Sequence, residues 1–394
     1  MRPPAVGPFR EDAFTSPARS QRTAAILGIA LGVSFFTCFA TGLYSHLAQH
    51  PPSWFHLSAR PAGLYRFTQG LHVATGLASI HLLIAKLWTV FPKLFAWPPF
   101  HGVASILERL SLLPLVGGSL FLLLTGLANI NLWYPWPFNF PIAHYWVAWI
   151  TIGALVVHIG AKISTTREAL RRTSMSPDHP PALDPAENGP ATVERAGMSR
   201  RQLLATAFGV SGLVTLVTVG QTYAPLRKLA LLAPRRPDIG PQGFPVNRTA
   251  RAAGVTATAQ AATYRLEVTG RVPNPLSLDL DRIRSMPQHS ATLPIACVEG
   301  WSVTKTWEGI RVRDLLALAG VHSARPVRIE SLQQHRSYRS SDIDTDQVGD
   351  ADTLLALRVD GAELALDHGY PLRLIAPNRP GVMQTKWVAR VVVL

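Results

Sequence analysis

Five long apolar runs dominate the first 222 residues, near Ala24–Leu47, Leu64–Phe91, Leu110–Leu132, Ile142–Ile163 and Leu203–Gln221. A helix needs roughly 20 apolar residues to cross a bilayer. Five such runs in succession predict transmembrane helices rather than the buried helices of a soluble core. The connections between them alternate in character. "HPPSWFH" and "NLWYPWPFNFP" suit an interfacial aromatic belt. Cations gather at the other ends: Arg10, Arg19 and Arg22 before the first run, Lys93 and Arg109 around the second loop, and Lys162, Arg167, Arg171 and Arg172 after the fourth. Positive loops stay in the cytoplasm. The N-terminus and the end of the fourth span are therefore expected there, and the C-terminal part on the outer side.

Residues 1–163 thus read as a four-helix transmembrane bundle. Residues 164–200, polar and proline-bearing ("TSMSPDHPPALDPAENGPATVERAG"), read as a cytoplasmic linker. Residues 201–222 read as a fifth, anchoring span. Arg200 and Arg201 stand just before it and resemble an internal twin-arginine export signal; the other reading is an ordinary pair of positive-inside anchors.

After an extracytoplasmic linker at 223–259, the period changes. "YRLEVTG", "RPVRIESL", "YPLRLIAP" and "KWVARVVVL" are short runs of branched residues bounded by Gly, Pro, Asn or Asp, as strands are. "GIRVRDLLALAGV" is a short amphipathic helix with Val312, Leu315, Leu316 and Ala319 on one face. Residues 260–394 are a β-rich α+β domain with few helices.

The formal charge of +14 belongs mostly to the apolar part, because residues 245–394 carry 18 Lys/Arg against 15 Asp/Glu. Basic flanks on apolar helices point to membrane orientation and anionic headgroups. No basic-aromatic pattern suggests a nucleic-acid partner.

The two cysteines stand in unlike settings. Cys38 lies inside the first apolar run, and Cys297 lies in "LPIACVEGWSVTKTWEGIRVRDLL" between an apolar run and an acidic Gly-Trp turn. Such a pair is no disulfide framework. Cys297 is either a buried small hydrophobe or a thiolate with a role.

"ACVEGWSVTKTWEGIRVRDLL", followed by "DTLLALRVDGAELALDHGYPLRLIAPNRPGVMQTKWVARVVV", resembles the molybdopterin domain of the sulfite oxidase class over roughly Tyr264–Leu394. The bacterial branch, which includes the catalytic subunit of periplasmic methionine sulfoxide reductase, is the closer likeness. No dimerisation or soluble haem domain of the larger sulfite oxidases is evident. The resemblance implies a molybdenum-molybdopterin cofactor, with Cys297 as the soft protein ligand of the metal. It implies pterin-holding roles for Arg373, Arg379 and Lys386, with His368 in the same block; a phosphate needs such cationic donors. Glu299 lies two residues from Cys297, on the same face if the segment is extended. It either tunes the metal or relays a proton, or it forms a surface salt bridge. Trp301 and Trp307 read as core. His335, Arg336, Tyr338 and Arg339 form either an oxyanion-binding cluster or a polar loop.

A redox centre needs an electron partner, and ionisable residues in spans are functional candidates. His46, His72, His81, His144 and His158 lie in or at the ends of spans. His144 and His158 are about 21 Å apart along a helix and within about 40° of one face. His72 shares a polar stripe with Thr68, Thr75, Ser79 and Lys86, whereas His81 sits among apolar residues. His72, His144 and His158 are therefore candidate haem b ligands; hydrogen bonding between helices is the other use for them. The expectation is a multi-pass cell-membrane oxidoreductase that transfers an oxygen atom to or from a small molecule. S-oxide reduction is preferred over sulfite oxidation, with the quinone pool a possible donor. A metal-free scaffold is the rival of another class.

Overall fold

A computed structural model describes residues 14, 16–95, 103–171, 198–335 and 338–394. The chain divides into two compact units. One comprises Met1–Phe39, Ala74–Asn129 and Tyr134–Thr215; the other comprises Ala40–Val73, Ile130–Trp133 and Leu216–Leu394.

The first unit is helical. Its elements come from α1 (Gln21–Gln49), α2 (Leu64–Val90), α3 (Val103–Leu112), α4 (Gly118–Ile130), α5 (Phe140–Arg171) and α6 (Arg200–Val219), with a π turn at Leu113–Gly117 joining α3 to α4. Among the described residues, five helical stretches are long and apolar enough to cross a membrane: Gln21–Gln49, Leu64–Lys93, Arg109–Ile130, Phe140–Arg171 and Arg200–Val219. Leu27, Leu31, Leu82, Leu83, Ala85 and Ala207 make the packed seam, while Ile150 and Val157 of α5 are exposed. Apolar side chains facing outward are what a lipid-facing surface requires. The linker expected from residue 164 begins later, because α5 continues through Arg171; residues 172–197 lie outside the described residues.

The second unit is built on two sheets. Their strands are β1 (Leu266–Gly270), β2 (Leu276–Leu278), β3 (His289–Ala296), β4 (Ser302–Arg311), β5 (Val327–Ser331), β6 (Ser340–Ile343), β7 (Leu354–Val359), β8 (Ala362–Glu363), β9 (Arg373–Ile375) and β10 (Val388–Val393). One sheet has the order β2-β1-β10-β5-β6, with β1 and β10 parallel. The other has the order β3-β4-β7-β8, with β9 also on β7. Alternation along β1 and β10 points Leu266, Val268, Val388 and Val391 into one core, joined by Val312, Leu315, Leu316 and Ala319 from the predicted helix, α10 (Val312–Leu318). A second core gathers Phe244, Leu293, Ile295, Cys297, Trp301, Val303 and Trp307. Asp279 and Asp344 cap α9 (Leu280–Ser285) and α11 (Thr345–Gly349) through their carboxylates.

The 223–259 linker expectation needs correction from Phe244 onward. Phe244 is buried in the second core, and α7 (Ala250–Ala253) and α8 (Thr256–Ala259) pack Ala250, Val255 and Ala259 around Trp387. The segment lacks periodicity because its apolar residues anchor two short turns rather than one face.

The loop between α1 and α2 is also part of this unit. Arg60 pairs with Asp350 and Asp352. Asn378 is buried and left-handed at φ 51°. Its Oδ1 accepts the Tyr65 N–H at 2.8 Å, its Nδ2 donates to the Ser58 carbonyl at 2.8 Å, and its own N–H reaches the Ala62 carbonyl. Asn378 thereby caps the first turn of α2 from 313 residues away. Asn378→Ala removes that cap and puts a Cβ-bearing residue less suited to positive φ in its place. The expected loss is about 1–3 kcal/mol, read as a lower unfolding midpoint and faster proteolysis within residues 51–63; an unchanged midpoint contradicts this role.

Candidate active site

Cys297 sits where β3 ends. β3 and β4 pair in register to Ala296 and Ser302, so residues 297–301 must reverse the chain. The Gly300 N–H returns to the Cys297 carbonyl at 3.0 Å, and the Cys297 N–H bonds the Trp301 carbonyl at 2.9 Å. Gly300 takes φ 87°, and a Cβ there would lie 2.9 Å from Gln221 Nε2. Only glycine serves this turn. The opposite wall is equally close, since a Cβ on Gly381 would fall 2.9 Å from the Ala296 carbonyl oxygen.

The thiol is fully buried. It receives two hydrogen bonds, from Asn247 Nδ2 at 2.8 Å and from the Glu299 N–H at 3.4 Å. Burial pushes its ionisation up, Glu299 adds to this, and the two donors oppose it. The segment is a turn rather than an extended run, and the Glu299 carboxylate makes its own contacts beside it. It meets Arg235 Nε at 3.6 Å and Trp301 Nε1 at 3.4 Å. Burial raises its ionisation above the carboxylate range, and Arg235 and Trp301 pull it back.

Beside Cys297 lies a cavity of about 160 Å³, lined among others by Asn247, Arg248, Trp301, His368, Arg373 and Lys386. Arg373, on β9, is buried; its Nη1 donates to the His368 carbonyl at 3.0 Å, and its Nε makes no hydrogen bond among the described residues. The guanidinium lies 5.6 Å from the centre of the Trp307 ring. Lys386 Nζ donates to the carbonyls of Arg248 and Asp367 at 2.6 and 2.8 Å. Neither cation forms an ion pair among the described residues. Burial pushes Arg373 down to about 9; burial together with Arg373 pushes Lys386 down to about 7. His368 stacks on Phe244 with ring centres 3.6 Å apart, and its Nε2 donates to the Pro241 carbonyl at 2.7 Å. Burial and the nearby Arg373 push it down to about 3, so the imidazole is neutral, with Nδ1 left as the acceptor.

The structure thus brings Cys297, Arg373, Lys386 and His368 to one cavity and leaves Arg379 outside its lining. Arg379 is buried against neutral partners, donating to Gln347 Oε1 at 2.6 Å and to the carbonyls of Met383 and Asp342. Those bonds hold the loop that carries Gly381. Of the 335–339 cluster, Tyr338 lines the cavity; Arg339 is exposed and bonds the Gln334 carbonyl, and Arg336 lies outside the described residues. Trp307 is core as expected, whereas Trp301 is buried and also lines the cavity. Sequence reasoning missed Asn247. Its one signal is the isolated "FPVN" in a segment otherwise read as linker, with Phe244 as its anchor.

In the helices, Thr41 Oγ1 meets His72 Nδ1 at 3.4 Å, and Thr125 Oγ1 meets His144 Nδ1 at 2.9 Å. His158 lies on α5 with His144, and His81 lies on α2 with His72. Cys38 bonds Thr75 Oγ1 at 3.0 Å.

Residues 253–394 match the family described as oxidoreductase molybdopterin binding domain. Among curated relatives, the protein provisionally named protein-methionine-sulfoxide reductase subunit YedZ1, from Azospira oryzae, is 32% identical over 32% of this chain and 48% of its own. Sulfite oxidase of Arabidopsis thaliana is 29% identical over 32% and 40%, and mitochondrial sulfite oxidase of Rattus norvegicus is 31% identical over 33% and 29%. The chain spans less than half the length of each of these relatives. A solved structure of the sulfane dehydrogenase SoxCD from Paracoccus pantotrophus overlays 34% of this chain and 38% of its own at 26% identity and a TM-score of 0.31. By the matched family and these relatives, residues 253–394 are an oxidoreductase molybdopterin-binding domain of the sulfite oxidase class.

Proposed function

We propose that this chain is a membrane-anchored molybdopterin-dependent reductase of small S-oxides, with its catalytic domain outside the cytoplasm. The observation that carries the reading is a buried thiol sharing one cavity with buried Arg373 and half-buried Lys386, neither of them in an ion pair among the described residues. Unpaired buried cations are costly, and a ligand bearing phosphate, as a pterin does, supplies the missing charge. The orphaned Nε of Arg373 fits the same requirement. Among the described residues no group of three or more His, Cys, Asp or Glu is placed to cage a metal. A pterin dithiolene would complete the ligand set to which Cys297 contributes.

When bound, the cofactor supplies a metal that exchanges one oxygen atom for two electrons. Cys297 Sγ would provide the soft ligand, and a coordinating thiol would ionise despite the burial that opposes it. Asn247 Nδ2 and the Glu299 N–H favour that anion and fix its direction. Arg373 and Lys386 would hold the phosphate of the cofactor, and neutral His368 holds Arg373 through its backbone carbonyl. Arg379 supports the loop from behind. Glu299, paired with Arg235, holds a proton close to the centre more readily than an ordinary carboxylate. A neutral S-oxide is favoured over sulfite because the Arg339 side chain, a candidate oxyanion ligand, turns away to the Gln334 carbonyl. The name of the YedZ1 relative supports the same substrate class.

Electrons enter from the membrane, with the quinone pool as donor and haem b held by His72, His144 and His158. Support comes from the shared setting of His72 and His144: each presents Nδ1 to a threonine hydroxyl, a contact that orients the ring as metal-ligating histidines require. The five apolar helices and the Lys/Arg distribution support a cytoplasmic N-terminus and an outer C-terminus, with Arg200 and Arg201 as a twin-arginine signal.

Three outcomes follow. Cys297→Ser keeps fold and membrane insertion but lowers S-oxide reduction with an artificial donor, per bound molybdenum, by orders of magnitude, while Cys38→Ser stays within a few-fold. Full activity in Cys297→Ser makes it a core thiol. A reporter fused after Leu394 is active outside the cytoplasm; activity confined to the inside reverses the topology. The third concerns pH. Lys386 sits at about 7 in the folded protein against about 10.4 unfolded, so the unfolded chain binds more protons between those values. Stability of cofactor-free protein therefore rises with pH across that window. Its unfolding midpoint should climb from about pH 7 to about pH 9, and Lys386→Met should flatten the climb; equal slopes in both contradict the assignment.

A further inference from the structure

The last turns of α1, from Ala40 onward, belong to the second unit. Ala48 is buried there in a cluster with Leu57, Tyr65 and Ala296, the residue before Cys297. Gln49 follows it in the chain. Its Nε2 donates to the carbonyl and to the hydroxyl of Ser45, each at 3.1 Å, and the Ser45 hydroxyl meets that of Tyr65 at 2.9 Å. Ser45 and Tyr65 are themselves buried. With its nitrogen engaged in this way, the amide of Gln49 presents its oxygen as an acceptor on the other side.

That oxygen accepts the Tyr338 hydroxyl at 3.1 Å, across 289 residues of chain. Tyr338 lines the same cavity as Cys297 but is 37% exposed, so it stands at the edge of the cavity rather than on its floor. Its φ of 63° is a conformation that a residue bearing a Cβ disfavours. Fixing a half-exposed aromatic side chain also costs rotamer freedom. The hydroxyl bond opposes both effects, and its acceptor is built into the end of a long apolar helix.

We infer that Gln49 is the positioning residue that fixes Tyr338 as one wall of the Cys297 cavity, and thereby sets the size of S-oxide admitted. The size limit rests on the S-oxide reading above; the placement of the ring does not. A neutral S-oxide offers one polar oxygen and two organic groups, so a site sorts such molecules largely by shape. A tethered ring excludes the larger organic group, and an untethered ring yields to it.

The test has two arms, both on detergent-purified full chain. In the first, cofactor-free protein carrying Cys38→Ser keeps Cys297 as its one thiol, and its alkylation by iodoacetamide reports how open the cavity is. Gln49→Leu removes the acceptor at similar volume, and Tyr338→Phe removes the donor. Each should speed alkylation about fivefold, the worth of one neutral hydrogen bond. The double variant should be no faster than either single one, because both remove the same contact. Arg60→Gln breaks the pairs to Asp350 and Asp352 from the neighbouring loop and should leave the rate at the parent's. An unchanged rate in Gln49→Leu, a double variant near the product of the singles, or equal acceleration in Arg60→Gln overturns the positioning role. In the second arm, cofactor-loaded protein with a dye donor is given dimethyl sulfoxide or methyl phenyl sulfoxide. Gln49→Leu should lower KM for the aryl probe about fivefold, with kcat on both probes and KM for dimethyl sulfoxide near the parent's. An unmoved aryl KM beside faster alkylation overturns the size limit. A parent that turns over neither probe overturns the S-oxide reading and the size limit with it, while the alkylation rates still decide the role of Gln49.

Discussion

A buried cation without an ion-pair partner is destabilising, and the second unit places buried Arg373 and half-buried Lys386 together beside a buried thiol. Both are pushed well below their ordinary ionisation by burial, and their remaining bonds go to neutral carbonyls. Such an arrangement persists when a ligand restores the charge balance. Arg379, equally buried and one loop away, shows the contrast. Its guanidinium is satisfied by Gln347, Met383 and Asp342, and it serves the fold.

The architecture around that charge is a convergence of four chain segments. β3 and β4 deliver the Cys297 turn, β9 and the stretch before β10 bring the two cations, and the residues from Phe244 supply Asn247. The fourth is unexpected: the C-terminal end of α1 and the N-terminal end of α2 bond Asn378 and the Val298–Gly300 turn. Helix ends and sheets are therefore one folding problem within this unit, and a domain cut at residue 260 would remove these bonds from Asn378 and the turn.

Much of this was readable along the chain. The five apolar helices follow from hydropathy alone, and α10 from its apolar face. Cys297 was legible because its neighbours form a local pattern. The turn at Glu299 was hidden because period-two reasoning assumes an extended backbone, and the positive φ of Gly300 breaks that assumption. Asn247 was missed because only the stacking of Phe244 on His368, 124 residues later, brings it to the sulfur. The contact of Gln69 with Val298 spans 229 residues and leaves no periodic trace in either segment. Sequence separation, rather than weak chemistry, hid the joint between helix and turn.

The central claim is that Cys297 binds the molybdenum of a pterin cofactor. X-ray absorption at the molybdenum edge of purified parent and Cys297→Ser, each loaded with cofactor, tests it without relying on turnover. The account predicts one sulfur neighbour fewer around the metal in the variant, with an oxygen neighbour in its place or none. The same number of sulfur neighbours in both proteins would contradict it.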